Sequence, residues 1–178
     1  MLTSLVVSIV APDRPGIVSE VSNKAAEFGG NWADSVMASM AGHFAGILHL
    51  QVPTANADLL VSALKAMASP SVQISVARSL PGTFAGAPAA AVVKGAVKLD
   101  LVGQDRPGII HAISAQLSRL GISIVKLQTR ITSGAMSGEN MFHMNAQLQL
   151  PANVDEDALR TALEGLANEL MVDISLDE

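Results

Sequence analysis

Hydrophobic positions along this chain fall into two kinds of period, and the order of the periods repeats once. Leu5-Val6-Val7-Ser8-Ile9-Val10 is a near-continuous apolar run of buried-strand type, and Val97-Lys98-Leu99-Asp100-Leu101-Val102 is its alternating counterpart. A helical period follows each. Ile17, Val21, Ala25 and Phe28 sit at i, i+4, i+8 and i+11, and Ile109, Ile113, Leu117 and Leu120 do the same, giving one apolar stripe per helix. Pro15 and Pro107 suit the first helical position, and Gly29 and Gly121 suit a left-handed stop after the last turn.

Strand periods return at about Asn31–Met40 and Ser123–Thr132, with Ala33, Ser35 and Met37 aligned to Val125, Leu127 and Thr129 as one face. In the next strand Phe44, Gly46, Leu48, Leu50 and Val52 alternate with His43, Ala45, Ile47, His49 and Gln51. In its partner, Phe142, Met144, Ala146, Leu148 and Leu150 alternate with His143, Asn145, Gln147 and Gln149. Pro53 and Pro151 end this pair. A second helix carries Leu60, Leu64 and Met67, or Leu159, Leu163, Leu166 and Leu170. Short strands at Val72–Ala77 and Met171–Leu176 close the repeats.

Each half therefore reads β-α-β-β-α-β, the split βαβ or ferredoxin-like order: an α+β fold with an antiparallel sheet and both helices on one face. Two domains are expected, 1–79 and 95–178. The Pro/Gly/Ala-rich stretch 80–94 has no period and reads as a linker. The repeat is also visible as identity: Asp13-Arg14-Pro15-Gly16-Ile17 recurs as Asp105-Arg106-Pro107-Gly108-Ile109, 92 residues on (105 minus 13). By Pro151 the offset is 98 (151 minus 53), which places a six-residue insertion near Ser133–Gly138, expected as a mobile hairpin tip.

Charge and composition narrow the functions available. Formal net charge is −5 and no Lys/Arg cluster exists, so direct nucleic-acid binding is not expected. No run reaches the roughly 18–20 apolar residues of a membrane span, and no membrane association is expected. The start of the chain lacks a basic segment of signal-peptide type, which gives an expected cytoplasmic location. The absence of Cys removes disulfides, thiol nucleophiles and Cys-based metal sites together.

Little in the sequence advertises catalysis. His43 and His49 share a strand face but are six residues apart, about 20 Å, too far to share a metal. His111 has no second ligand at i+3 or i+4, and His143 is read as a sheet-face residue. No metal-protease, phosphate-loop or nucleophile-elbow pattern is present. A non-enzyme without cofactor is expected.

The Asp-Arg-Pro-Gly loops are more informative. Each joins a strand end to a helix N-terminus, where unpaired amides and the helix dipole favour an anion. Gly16 and Gly108 let a ligand approach the backbone. Asp13 and Asp105 either cap the helix or meet an ammonium group. Asn31 offers a further donor and acceptor, with the smaller Ser123 as its counterpart. The plainer reading is that these loops only turn the chain and start a helix. On the sheet faces, Lys126, Gln128, Arg130, His143, Asn145 and Gln147 form a polar set in the second half. Trp32, Val36, Ala38 and Ile47 make the corresponding face of the first half apolar, and such a face seeks a partner: a second copy, another protein or, in the plainer reading, the other half of the chain.

The strand, the Asp-Arg-Pro-Gly-Ile loop, the helix closed by Gly and the β-α-β-β-α-β order resemble the ACT domain, a small-molecule sensing module that commonly binds amino acids. Two such domains, with the longer hairpin before Met141-Phe142, resemble the glycine cleavage system transcriptional repressor family. The resemblance implies side-by-side pairing of the two sheets into one, with a small amino acid, glycine first, held at the interface. It assigns ligand binding to Asp13, Arg14, Pro15, Gly16, Ile17 and Asn31, and to Asp105, Arg106, Pro107, Gly108, Ile109 and Ser123. It implies a separate DNA-binding activator as protein partner, through which glycine-cleavage genes are controlled, and it allows a homo-oligomer. The rival readings are a constitutive interaction module and a regulatory subunit of an amino-acid-metabolising enzyme.

Overall fold

A computed structural model describes residues 1–78, 93–133 and 139–177 of the chain. The chain divides into two compact units, Met1–Phe84 and Ala85–Glu178. The expected linker 80–94 lies outside the described residues apart from positions 93 and 94, which begin a strand. The expected hairpin insertion lies outside them apart from Ser133.

Unit 1 runs β1 (Leu2–Pro12), α1 (Ile17–Glu27), β2 (Asn31–Met40), β3 (His43–Pro53), a 3₁₀ turn (Thr54–Asn56), α2 (Ala57–Ala66) and β4 (Gln73–Arg78). Unit 2 runs β5 (Val93–Gln104), α3 (Ile109–Arg119), β6 (Ser123–Ser133), β7 (Asn140–Pro151), α4 (Glu156–Leu170) and β8 (Val172–Asp177). The sheets have the orders β2-β3-β1-β4 and β6-β7-β5-β8, with every pairing antiparallel. Each unit is a ferredoxin-like fold.

The period-2 pattern decides which face each strand buries. Leu5, Val7, Ile9 and Ala11 of β1 join Leu48, Leu50 and Val52 of β3 against Ile17, Val21 and Ala25 of α1 and Leu60 and Leu64 of α2. Unit 2 packs Val97, Leu99 and Leu101 with Ile113, Leu117, Leu159 and Leu163 in the same way. Both helices therefore cover one face of each sheet, and the other face is left outward. Each fully buried Leu or Ile contributes about 1.5–3 kcal/mol of transfer free energy, so these stripes hold the layers together.

Several expected details shift by one or two residues. Pro15 and Pro107 are not the first helical residues. Gly16 and Gly108 precede the helices at φ 97° in both cases, with ψ of −12° and −7°. That is the third position of a type II turn, with proline at the second. Gly29 and Gly121, at φ 71° and 68°, do provide the left-handed stops. The last strands begin one residue later than expected. Val72 instead exchanges backbone hydrogen bonds with Ser69, and Met171 ends α4 at φ 54°.

The larger correction concerns Trp32. A bulge between Trp32 and Asp34 leaves Ala33 opposite no partner, and the same irregularity between Ile124 and Lys126 leaves out Val125. One extra residue flips the pleat. Trp32, opposite buried Leu50, thus packs on the core, while Asp34, Val36 and Ala38 face outward. Ala33 and Val125 do not continue the faces of Ser35–Met37 and Leu127–Thr129.

Candidate ligand-binding loops

The two loops between β1 and α1 and between β5 and α3 are built alike. The Asp13 amide donates to the Gly42 carbonyl at 3.0 Å, and the Asp105 amide donates to the Asn140 carbonyl at 2.8 Å. Each loop is thereby tied to the far end of the neighbouring hairpin. In unit 1 that hairpin turns through Ala41 and Gly42, both at positive φ as in a type I′ turn. Ile17 and Ile109 anchor the helix starts in the core, at 4% and 3% exposure. Residues 13–16 and 105–108 are exposed.

Neither helix start is capped by a side chain. Asp13 and Asp105 are thus not helix caps. The first helical bonds run from Glu20 N–H to the Gly16 carbonyl and from Ala112 N–H to the Gly108 carbonyl. Among the described residues no side chain accepts from the amides that open the helices, at Ile17, Val18 and Ser19 or at Ile109, Ile110 and His111. Contrast α4, where the Asp155 carboxylate accepts from Ala158 N–H at 2.8 Å. The space is open as well. A Cβ on Gly16 would approach only Glu20 Oε1, at 3.8 Å, and one on Gly108 would meet nothing within 4 Å. Free amides, a positive helix end and an adjacent carboxylate can together receive a zwitterion.

The electrostatics of the two loops differ. Arg14 clasps Glu20 with two parallel bonds, Nη1 to Oε1 at 2.8 Å and Nη2 to Oε2 at 2.9 Å. Hydrogen bonding with the Arg14 guanidinium, reinforced by its charge, lowers the Glu20 carboxyl, and the same pair raises Arg14. In unit 2 the residue equivalent to Glu20 is Ala112 (20 plus 92). Arg106 there bonds the neutral Gln104 side chain, Nη2 to Oε1 at 2.7 Å. Sequence reasoning missed Glu20 and Gln104. The available signal was the acid six residues after Arg14, absent from the second copy.

Asn31 and Ser123 are not beside these loops within their own units. Asn31 pairs with Gln51, whose β1 partner is Ser4, whereas Pro12 at the loop end pairs with His43. Eight residues of strand separate the two ends, about 26 Å. The reason is topological: α1 and α3 run the length of the sheet and deliver the chain to its opposite end. Ser123 instead borders a hollow of about 410 Å³ with Ser118, Gly121 and Ile122 at the end of α3.

The histidines stay apart. His49 Nδ1 lies 3.6 Å from Asp34 Oδ2, His143 Nε2 is 2.9 Å from Thr132 Oγ1, and His43 Nδ1 is 3.3 Å from the Ala41 carbonyl. Among the described residues no three His, Cys, Asp or Glu side chains converge on a metal-sized site. No described helix is long and apolar enough to cross a membrane.

A duplicated β-α-β-β-α-β unit with an open loop before its first helix makes the chain a tandem of two small ferredoxin-like modules. The chain belongs to the ACT domain family, whose model matches residues 3–76 and 98–177. It is similar over its full length to an unknown protein from Galdieria sulphuraria, at 31% identity and a TM-score of 0.83, covering 100% of this chain and 99% of that one. A structure described as a "putative glycine cleavage system transcriptional repressor" matches at 19% identity and a TM-score of 0.67, covering 99% of this chain and 97% of that one. No curated protein matches the sequence.

Proposed function

We propose that the chain is a non-catalytic regulator that binds a small amino acid, glycine first, at its Asp-Arg-Pro-Gly loops. The observation that carries this reading is the pair of uncapped helix starts in a protein that caps α4 in the ordinary way. The carboxylate is received by the amides around Gly16 and Ile17, and around Gly108 and Ile109. The ammonium is received by Asp13 or Asp105. Pro15 and Pro107 stiffen the turns that present these amides. Arg106, held only by an amide, adds a cation to the second loop, while Arg14 is already engaged by Glu20.

The output in this reading is control of glycine-cleavage genes in the cytoplasm through a separate DNA-binding activator. The acidic net charge supports leaving DNA contact to that partner. The full-length likeness to a protein described as a repressor of the glycine cleavage system supports the same direction. Ligand shifts the partner equilibrium only if it binds the two states with different affinity.

Titration calorimetry with glycine, serine and alanine tests the reading. Saturable heat with at least one of them, lost when Asp13 and Asp105 are both changed to Ala, is expected. Silence at millimolar ligand overturns it.

A further inference from the structure

The outward face of the unit 1 sheet is built differently from its duplicate. Val36, Ala38 and Ile47 stand where unit 2 has Gln128, Arg130 and Asn145 (offsets 92, 92 and 98). Val36 is 58% exposed and Ile47 55%, both uncommonly open for β-branched residues in a sheet. Across β1 the outward positions are Val6, Ser8 and Val10, against Lys98, Asp100 and Val102 in unit 2. The only carboxylate on the outward face of β2 and β3 is Asp34, already beside His49. The same scaffold thus carries one solvated face and one apolar face, and folding alone does not require the second.

The relief of this face is lopsided in a way that suits its own copy. The registers align Val36, Ile47, Ser8 and Ser75 in one row across β2, β3, β1 and β4. The next row is Ala38, Ala45, Val10 and Gln73. In the first row the large side chains lie on the β2–β3 half, and in the second on the β1–β4 half. A two-fold axis parallel to the strands, between β3 and β1, lays each half over the other. It places Ile47 over Ser8 and Val36 over Ser75 of the second copy. It also places Ala45 over Val10 and Ala38 over Gln73. Large meets small in these two rows, which is the condition for close packing of two aligned sheets, while in the row toward the other end the same axis lays His49 over Val6 and Asp34 over Ala77.

The geometry points to an isologous dimer in which the outward face of unit 1 stacks on the same face of a second copy. Size is sufficient: four strands about 4.8 Å apart and some 25 Å long cover nearly 500 Å² per copy, or about 1,000 Å² in all, at the threshold of a specific interface. Charge selects the partner. A face of the unit 2 kind, with Lys98, Asp100, Lys126 and Arg130, would lose hydration with no matching charges opposite, whereas a second unit 1 face brings one carboxylate, Asp34, which lies beside His49 on the β2–β3 half.

Sedimentation velocity of the full chain, from low to high micromolar concentration, should show a species of twice 18.4 kDa. Val36→Lys and Ile47→Lys should each raise the dimer dissociation constant at least about tenfold. Circular dichroism should be unchanged in both, since these side chains are already exposed. Gln128→Lys on the unit 2 face should leave the dimer intact. Because the chain has no Cys, Ser8→Cys introduces a single thiol near the axis. A short bis-maleimide should cross-link it into covalent dimers. A monomer at every concentration, a dimer indifferent to both Lys variants, or a dimer whose Ser8→Cys thiols do not cross-link would each overturn the assignment. The monomer result does so even if another protein is found on this face.

Discussion

Arg14 and Glu20 meet end to end, two nitrogens on two oxygens, beside Gly16 where α1 opens. The equivalent pair in unit 2 is Arg106 and Ala112, so that opening has a cation without a carboxylate partner among the described residues. The duplicated loops thus differ in charge through one residue. On the proposed reading, the carboxylate of Glu20 competes with a ligand carboxylate for Arg14 and repels it from the amides beside it. Glu20→Gln should raise the affinity of the unit 1 loop for glycine by about two- to fivefold, the scale of a solvent-exposed charged contact. Ala112→Glu should lower that of the unit 2 loop by a similar factor. Amide shifts of Gly16 and Gly108 in a nuclear magnetic resonance titration read each loop separately, and equal response in wild type would contradict the asymmetry.

The same pair sets a pH dependence whose sign is fixed. Arg14 holds the Glu20 carboxyl below its ordinary value of 4.5. A carboxyl lowered on folding contributes stability that is present above its unfolded value and lost as pH falls through its folded value. The clasp therefore stays closed from neutral pH down past 4.5 and opens only below it. A carbon-detected titration should give Glu20 a midpoint below 4.5, moving upward in Arg14→Ala. An unmoved midpoint would show that the clasp does not persist in solution.

Gly108 separates conformation from crowding. Its φ of 97° is strained for any L side chain, yet a Cβ there would meet nothing within 4 Å. Gly108→Ala should therefore cost about 1–2 kcal/mol through the left-handed backbone alone. Urea denaturation should show a lower midpoint with an unchanged slope. Gly16→Ala, with the same φ and only Glu20 Oε1 nearby, should cost about as much. Substantially different costs would mean that contacts, not torsion, hold these loops.

Much of this architecture was legible in the sequence, because two independent periods agreed. The i, i+4, i+8 stripe Ile17, Val21, Ala25 is the buried stripe, and the alternation Leu48, Leu50, Val52 is the buried strand face. Gly29 and Gly121 stop helices as their residue type requires. What failed were features that periodicity cannot register. The bulge at Ala33 turned Trp32 inward, since an inserted residue leaves no mark in an alternation only ten residues long. Asn31 and the Asp13 loop are separated by a single helix in the sequence, which does not make them neighbours in the unit. The helix between them spans the sheet, and a strand-loop-helix string does not reveal which end a chain has reached. Glu20, six residues after Arg14 and replaced by Ala112 in the second copy, leaves only that difference in the sequence, and the side-chain geometry shows its reach back to Arg14.

Gly46 offers a test of how β2 is held. It lies on the inward side of β3, opposite Met37. A Cβ there would fall 2.5 Å from Met37 Cγ and 2.6 Å from the Val36 carbonyl oxygen. The side chain can rotate away, but the carbonyl belongs to the β2 backbone, so the strand itself must shift from β3. Forcing atoms into a filled space of this kind costs about 1–3 kcal/mol. Gly46→Ala should therefore lower the denaturation midpoint of the chain by that amount. It should also weaken the copy-to-copy contact, because Val36 and Ala38 ride on the displaced strand. Gly42→Ala, at a hairpin tip with no atom within 4 Å of its Cβ, should bear only the torsional cost of φ 79° and leave self-association unchanged. If Gly46→Ala lowers stability while leaving the sedimentation profile of the dimer untouched, β2 does not carry the contact surface.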